Sequence, residues 1–132
     1  MRIIADTNLL LRLIVSDDPA QYKLALEIMG QAEAVVVTNV VLCEFAWVLR
    51  TSYGASRENI AAAIARLRET VNIVLDNAAV DAGLSVLNAG ADFADGVIAY
   101  EGRWLGGEMF VSFDKKAVSA IAQQGHEAKL LS

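Results

Sequence analysis

The chain has 132 residues, the size of one domain, since globular domains cluster at about 100–150 residues. A chain of this length buries about two-thirds of its unfolded surface and needs neither a disulfide nor a structural metal to fold. Eleven Lys and Arg against sixteen Asp and Glu give a net charge of −5 and a pI near 4.7, which argues against a generally basic nucleic-acid coat or a membrane-surface binder. Carboxylates that hold metal ions enter the same sum, so an enzyme acting on nucleic acid stays open. The single cysteine, Cys43, cannot form an intrachain disulfide, which points to a reducing compartment. With glycine counted in place of tyrosine, the apolar share is roughly 60 %, against about 45–50 % in ordinary domains. Much of the excess is alanine, which suits tightly packed helices and a surface covered by a second copy or a partner. No apolar run approaches the roughly 18–20 residues that span a bilayer. The opening Met-Arg-Ile-Ile-Ala-Asp lacks a signal-peptide pattern. A single soluble, cytoplasmic domain over residues 1–132 is expected.

In chain order, Ile3 to Ala5 is an apolar run too short for a helix and reads as a buried strand ended by Asp6. Thr7 to Val15 reads as a short helix capped by Asp6 or Thr7. Asp18 then caps a helix with Pro19 at its first position, running to about Ala32. Ala34 to Val37 is the second strand. Thr38 or Asn39 caps a helix through Leu42, Phe45 and Leu49, ending near Gly54. Ser56 opens a helix with Ile60, Ile64 and Leu67 on one face. Val71 to Leu75 is the third strand, and Asp76 or Asn77 caps a helix to about Ala89. Another helix spans Asp92 to about Leu105 and stops at Gly106-Gly107. Met109 to Ser112 is the fourth strand, Asp114 starts a helix to about Gln124, and Ala128 to Leu131 is a last short strand. Strands alternating with helices imply a mainly parallel sheet of about five strands with helices on both faces.

In such sheets, ligands bind at the carboxyl ends of the strands. Acids gather there. Asp6 follows the first strand directly, Glu44 lies in the first turns of the helix after the second, and Asp95 opens the helix before the fourth. Asp92 stands three residues before Asp95, on the same helical face, and Asp114 lies just past the fourth strand. Thr7 and Ser112 place hydroxyls beside Asp6 and Asp114. Each acid alone has a plain reading as a helix cap, and Asp92 fits that reading at least as well as metal binding. The apolar neighbours of Glu44 predict that it is not fully exposed. Four acids at one sheet edge point instead to a cation, because clustered carboxylates repel one another without one. An all-oxygen donor set suits Mg²⁺ or Mn²⁺ rather than Zn²⁺. Without Asp6, Glu44, Asp92, Asp95 and Asp114, eleven acids face eleven bases, so the acidity is concentrated in one place.

Ile-Ile-Ala-Asp-Thr-Asn (Ile3 to Asn8), Val-Leu-Cys-Glu-Phe (Val41 to Phe45), Asp-Phe-Ala-Asp-Gly-Val-Ile-Ala (Asp92 to Ala99) and Val-Ser-Phe-Asp-Lys-Lys-Ala (Val111 to Ala117) together resemble the PIN domain. The resemblance spans essentially the whole chain and is nearest to the VapC-type toxins, the ribonuclease halves of bacterial toxin–antitoxin pairs. It implies a three-layer α/β/α sandwich and a Mg²⁺- or Mn²⁺-dependent endoribonuclease. Asp6, Glu44, Asp95 and Asp114 take the places of the family's acidic quartet, with Asp6 and Asp95 as principal metal ligands. Thr7 and Ser112 match hydroxyl positions near the metal, and Asp92 is common in this subgroup. It also implies an RNA substrate, a cognate antitoxin bound on the apolar N-terminal helices, and a homodimer. Gly96 departs from the pattern, where alanine is usual, and is expected to loosen its helix slightly.

Other residues invite plainer readings. His126 has no second histidine for acid–base work, Cys43 suits packing, and Trp47 and Trp104 suit core or interface. Arg103, Lys115 and Lys116 flank the acidic motifs and read first as solvated charge. Aspartyl-phosphate chemistry fits poorly: a phosphatase wants a second acid where Asn8 stands, and a signalling receiver wants an acidic pair beside Asp6. The stronger rival is a PIN-like module without activity, acting through protein contacts.

Overall fold

The computed structural model describes residues 1–132. Five strands, β1 (Arg2–Ile4), β2 (Ala34–Val36), β3 (Ile73–Val74), β4 (Phe110–Ser112) and β5 (Ala128–Leu130), alternate with seven helices. These are α1 (Thr7–Ile14), α2 (Pro19–Gln31), α3 (Asn39–Thr51), α4 (Arg57–Glu69), α5 (Asn77–Asn88), α6 (Phe93–Trp104) and α7 (Lys115–Gln123). Every helix begins after an Asp, Ser or Thr. Six of these caps accept a backbone N–H from the first turn: Asp6, Asp18, Thr38, Ser56, Asp76 and Asp114, which satisfies donors the helix itself leaves open. Pro19 occupies the first turn of α2, where its missing N–H costs nothing.

All strand pairings are parallel, as the alternation predicts. They form two ladders, β1-β2-β3 and β4-β5. β3 is shorter than expected because the Ile73 N–H bonds back to the Thr70 carbonyl, which spends Val71 and Asn72 in a turn. Asn72 instead donates its side-chain amide to the carbonyls of Met29 and Ala32 and ties the end of α2 to β3.

The core is divided in the same way as the strands. The larger cluster joins Leu10, Val35, Leu42, Phe45, Ile64 and Phe93 with their neighbours; a smaller one, rich in alanine, seats α7 through Ala117, Ala120 and Ile121. Helices α5 and α6 contribute to both clusters and approach closely. A Cβ on Gly96 would stand 2.2 Å from the Ala82 carbonyl oxygen, and one on Gly83 would stand 2.4 Å from the Phe93 ring. Gly96 is therefore a packing requirement of the α5–α6 contact, a stronger constraint than the slight loosening of one helix expected from the sequence. No helix is long and apolar enough to cross a membrane.

Candidate active site

Asp6 sits where β1 runs into α1. The ladder continues one residue beyond β1, through the Ala5 N–H to the Val36 carbonyl, so Asp6 is the first residue free of it. Its Oδ1 accepts the Leu9 N–H at 2.9 Å, which fixes the carboxylate and leaves Oδ2 outside the cap. Thr7 is buried beside it. Glu44 lines the same hollow as Asp6, together with Asn8 and Val41.

Glu44 is exposed, contrary to the expectation from its neighbours. α3 turns Leu42, Phe45, Ala46 and Leu49 inward, and Glu44 shares the opposite face with Val40 and Trp47, themselves exposed. The apolar residues near Glu44 in sequence are partly on its own solvent face. Trp104 is exposed as well, so neither tryptophan belongs to the core.

Asp95 lies in the first turn of α6 and is half-buried; its Oδ2 accepts the Asp92 N–H at 3.4 Å. Burial pushes its carboxyl pKa up. The backbone hydrogen bond to Asp92 and the Arg50 guanidinium lower it, while the charges of Asp92 and Asp114 raise it further; the net shift is upward. Asp92 itself is paired with Arg50 of α3. Asp114 is held twice over. The Ser112 hydroxyl accepts the Asp114 N–H at 2.9 Å, and Asp114 Oδ1 accepts the N–H groups of Lys116 and Ala117 at 2.9 and 3.2 Å.

Burial also pushes the Cys43 thiol up to about 11, aided by the charges of Glu101 and Asp95. Glu101 accepts the Asn39 side-chain amide at 2.9 Å, tying α6 to the start of α3.

The acids thus fall into two groups. Asp6 and Glu44 line one hollow; Asp92 and Asp114 each act on Asp95 through their charge. No three His, Cys, Asp or Glu side chains stand together as a metal-holding group. The donor set is hard oxygen throughout, which matches Mg²⁺ or Mn²⁺ in kind. Sequence reasoning missed Arg50 as the partner of Asp92; the two are 42 positions apart, and only tertiary structure joins them.

A family model of the PIN domain matches residues 3–122. The chain belongs to the PIN domain family. The matched span includes Asp6, Glu44, Asp95 and Asp114, and the α/β sandwich of parallel strands described above is the PIN fold. Curated proteins offer no match to this PIN domain. A solved structure similar to it is the crystal structure of Mycobacterium tuberculosis VapC20, a sarcin–ricin loop cleaving toxin. The two are 20 % identical, with a TM-score of 0.44, over 91 % of this chain and 95 % of that one.

Proposed function

We propose that this PIN domain, a single domain over residues 1–132, is a Mg²⁺- or Mn²⁺-dependent endoribonuclease and the toxin half of a toxin–antitoxin pair, acting in the cytoplasm. The observation that carries the reading is the grouping of the half-buried Asp95 with Asp92 and Asp114, whose like charges oppose its ionisation, inside the span that the PIN-domain model matches. A protein keeps such repulsion at a cost, and a bound cation relieves it. Asp6 and Asp95 are assigned as principal ligands, with Glu44 and Asp114 completing the acidic set. When bound, the cation supplies Lewis-acid polarisation of the scissile phosphate and activation of water.

The chain's own residues do the rest. Capping hydrogen bonds hold Asp6, Asp95 and Asp114 through one oxygen each and leave the second available to a ligand. Glu44, which is exposed and lines the same hollow as Asp6, is assigned to orient a water or take its proton. Ser112 steadies the turn that carries Asp114, and Thr7 is buried next to Asp6.

An antitoxin is assigned to the N-terminal helices, where α2 exposes Leu24, Leu26 and Ile28. A homodimer follows from the apolar excess. Light scattering that returns the monomer mass of 14.2 kDa would refute the dimer, and separate elution of toxin and co-expressed antitoxin would refute the complex.

A second reading, an inactive PIN-domain interaction module, draws on the caps themselves. They account for three of the four acids without any metal. Asp95→Asn separates the two readings. With its carboxyl raised above the ordinary 3.8, the folded parent binds more protons than the unfolded chain between those two values. Its stability therefore falls as pH rises through that window, and the neutral variant does not share the fall. In EDTA at pH 7 the variant should melt at or above the parent. Millimolar Mn²⁺ should raise the parent's melting temperature and the variant's much less, and RNA cleavage should drop by orders of magnitude in the variant. Equal metal responses would reject the nuclease reading.

A further inference from the structure

Between α3, α4 and α6 lies a cavity of about 300 Å³ whose wall includes Trp47, Arg50, Arg57, Phe93 and Asp95. Asp95 gives the cavity a direct border with the acidic site. We propose that it is the subsite for one nucleotide of the RNA substrate, with the base against Trp47 and the phosphate on Arg57; the ribonuclease reading supplies the ligand class.

Three observations carry this. First, the cavity is at the small end of ligand pockets, about 300–1,000 Å³, which suits a single base and excludes a docked helix. Its inner wall is apolar, with Ile60 and Phe93 buried, while Trp47 is 58 % exposed. An indole in that position offers a flat face for stacking, a sequence-tolerant contact that every base can make.

Second, the two arginines of the wall differ. Arg50 is neutralised by Asp92. Arg57 is absent from the three ion pairs of the molecule. Its Nη2 donates to the Gly90 carbonyl at 2.7 Å, with Nε at 3.5 Å from that of Ala91. Two carbonyls aim the guanidinium without cancelling its charge, and Nη1 has no protein partner among these bonds. A fixed planar cation with free donors is suited to phosphate.

Third, the location is specific in a chain of net charge −5. An unpaired cation bordering clustered acids has a purpose if an anionic strand must approach those acids. A phosphodiester chain with one nucleotide in the cavity continues past Asp95.

The test uses the full chain in EDTA, so no cleavage occurs. Trp104→Phe leaves Trp47 as the sole indole, since the chain has two tryptophans. Adenosine 5′-monophosphate should quench Trp47 fluorescence saturably and bind about tenfold more tightly than adenosine, as a charge-assisted phosphate contact requires. In the same background, Arg57→Gln should bring the nucleotide down to the level of adenosine, and Arg57→Lys should restore part of the difference. If Arg57→Gln does not fold, having lost its hold on Gly90 and Ala91, the comparison of nucleotide with nucleoside decides alone. Absence of saturable quenching, or equal affinity for the two ligands, overturns the subsite. Quenching by an acidic peptide and not by the nucleotide overturns it in favour of a protein partner. Cleavage activity in a protein that shows no quenching rejects the subsite alone. Quenching in a protein that never cleaves RNA rejects the nuclease reading alone.

Discussion

Arg50, in the last turn of α3, donates to the carboxylate of Asp92, the residue that opens α6. This bond joins the same two helices as the Asn39–Glu101 hydrogen bond, and it gives Asp92 an occupation apart from any cation. Its partners are half-exposed, so the pair contributes no more than about 1 kcal/mol. Asp92→Asn should therefore lower stability slightly and keep metal-dependent cleavage within about tenfold of the parent. A loss of activity as large as that of Asp95→Asn would make Asp92 a ligand after all. Urea titrations alongside initial cleavage rates give both numbers.

Asp6 serves two ends at once, and two substitutions separate them. Asparagine caps a helix about as well as aspartate, whereas alanine costs about 1 kcal/mol. Asp6→Asn should melt near the parent and Asp6→Ala several degrees lower, while both lose cleavage. If Asp6→Asn still cuts RNA in Mn²⁺ at the parental rate, Asp6 is a cap and nothing more.

Gly96 allows no side chain. Its missing Cβ would meet backbone atoms, the Ala82 oxygen and Gly83 Cα, which cannot swing aside as the end of a side chain can. Gly96→Ala should destabilise by about 1–3 kcal/mol despite alanine's better helix propensity. An unchanged or raised midpoint in urea would show that α5 and α6 can separate at little cost.

Cys43 should be sluggish toward alkylation. A thiol pushed up to about 11 from an ordinary 9.0 carries roughly one-hundredth of the usual thiolate at pH 8, and the thiolate is the nucleophile. Iodoacetamide labelling of the native protein should be slow at pH 8 and accelerate up to and beyond pH 10, whereas the urea-unfolded chain labels readily. Rapid native labelling at pH 8 would contradict the burial.

The helix starts were the most legible part of the fold. Asp18, Ser56 and Asp114 could be named directly, while Asp6 or Thr7, Thr38 or Asn39 and Asp76 or Asn77 stood as pairs. In each pair the structure makes the first residue the cap, because a short acceptor before an apolar period suits that position. Strand lengths were less legible. Val71 to Leu75 is as apolar as a full strand, yet a turn at Thr70 takes half of it, and turn geometry leaves little trace in composition. The four acids could be named from sequence, but the α3 rotation that exposes Glu44 with Val40 and Trp47 depends on how α1, α4 and α6 pack against it. Arg50 and Arg57 were invisible as members of any site. A lone arginine on a helix looks solvated until the carboxylate or carbonyl it meets, more than thirty residues away, is known.

The division of the strands into two ladders also bears on behaviour in a crowded cell. Two separate ladders have four outer edges where one closed sheet would have fewer, and each edge is a template on which another chain can add a strand. Here every strand is two or three residues long, so an intruding chain gains a few hydrogen bonds at most. The brevity of the strands limits association through these edges and favours contact through the helices, where side chains can discriminate between partners.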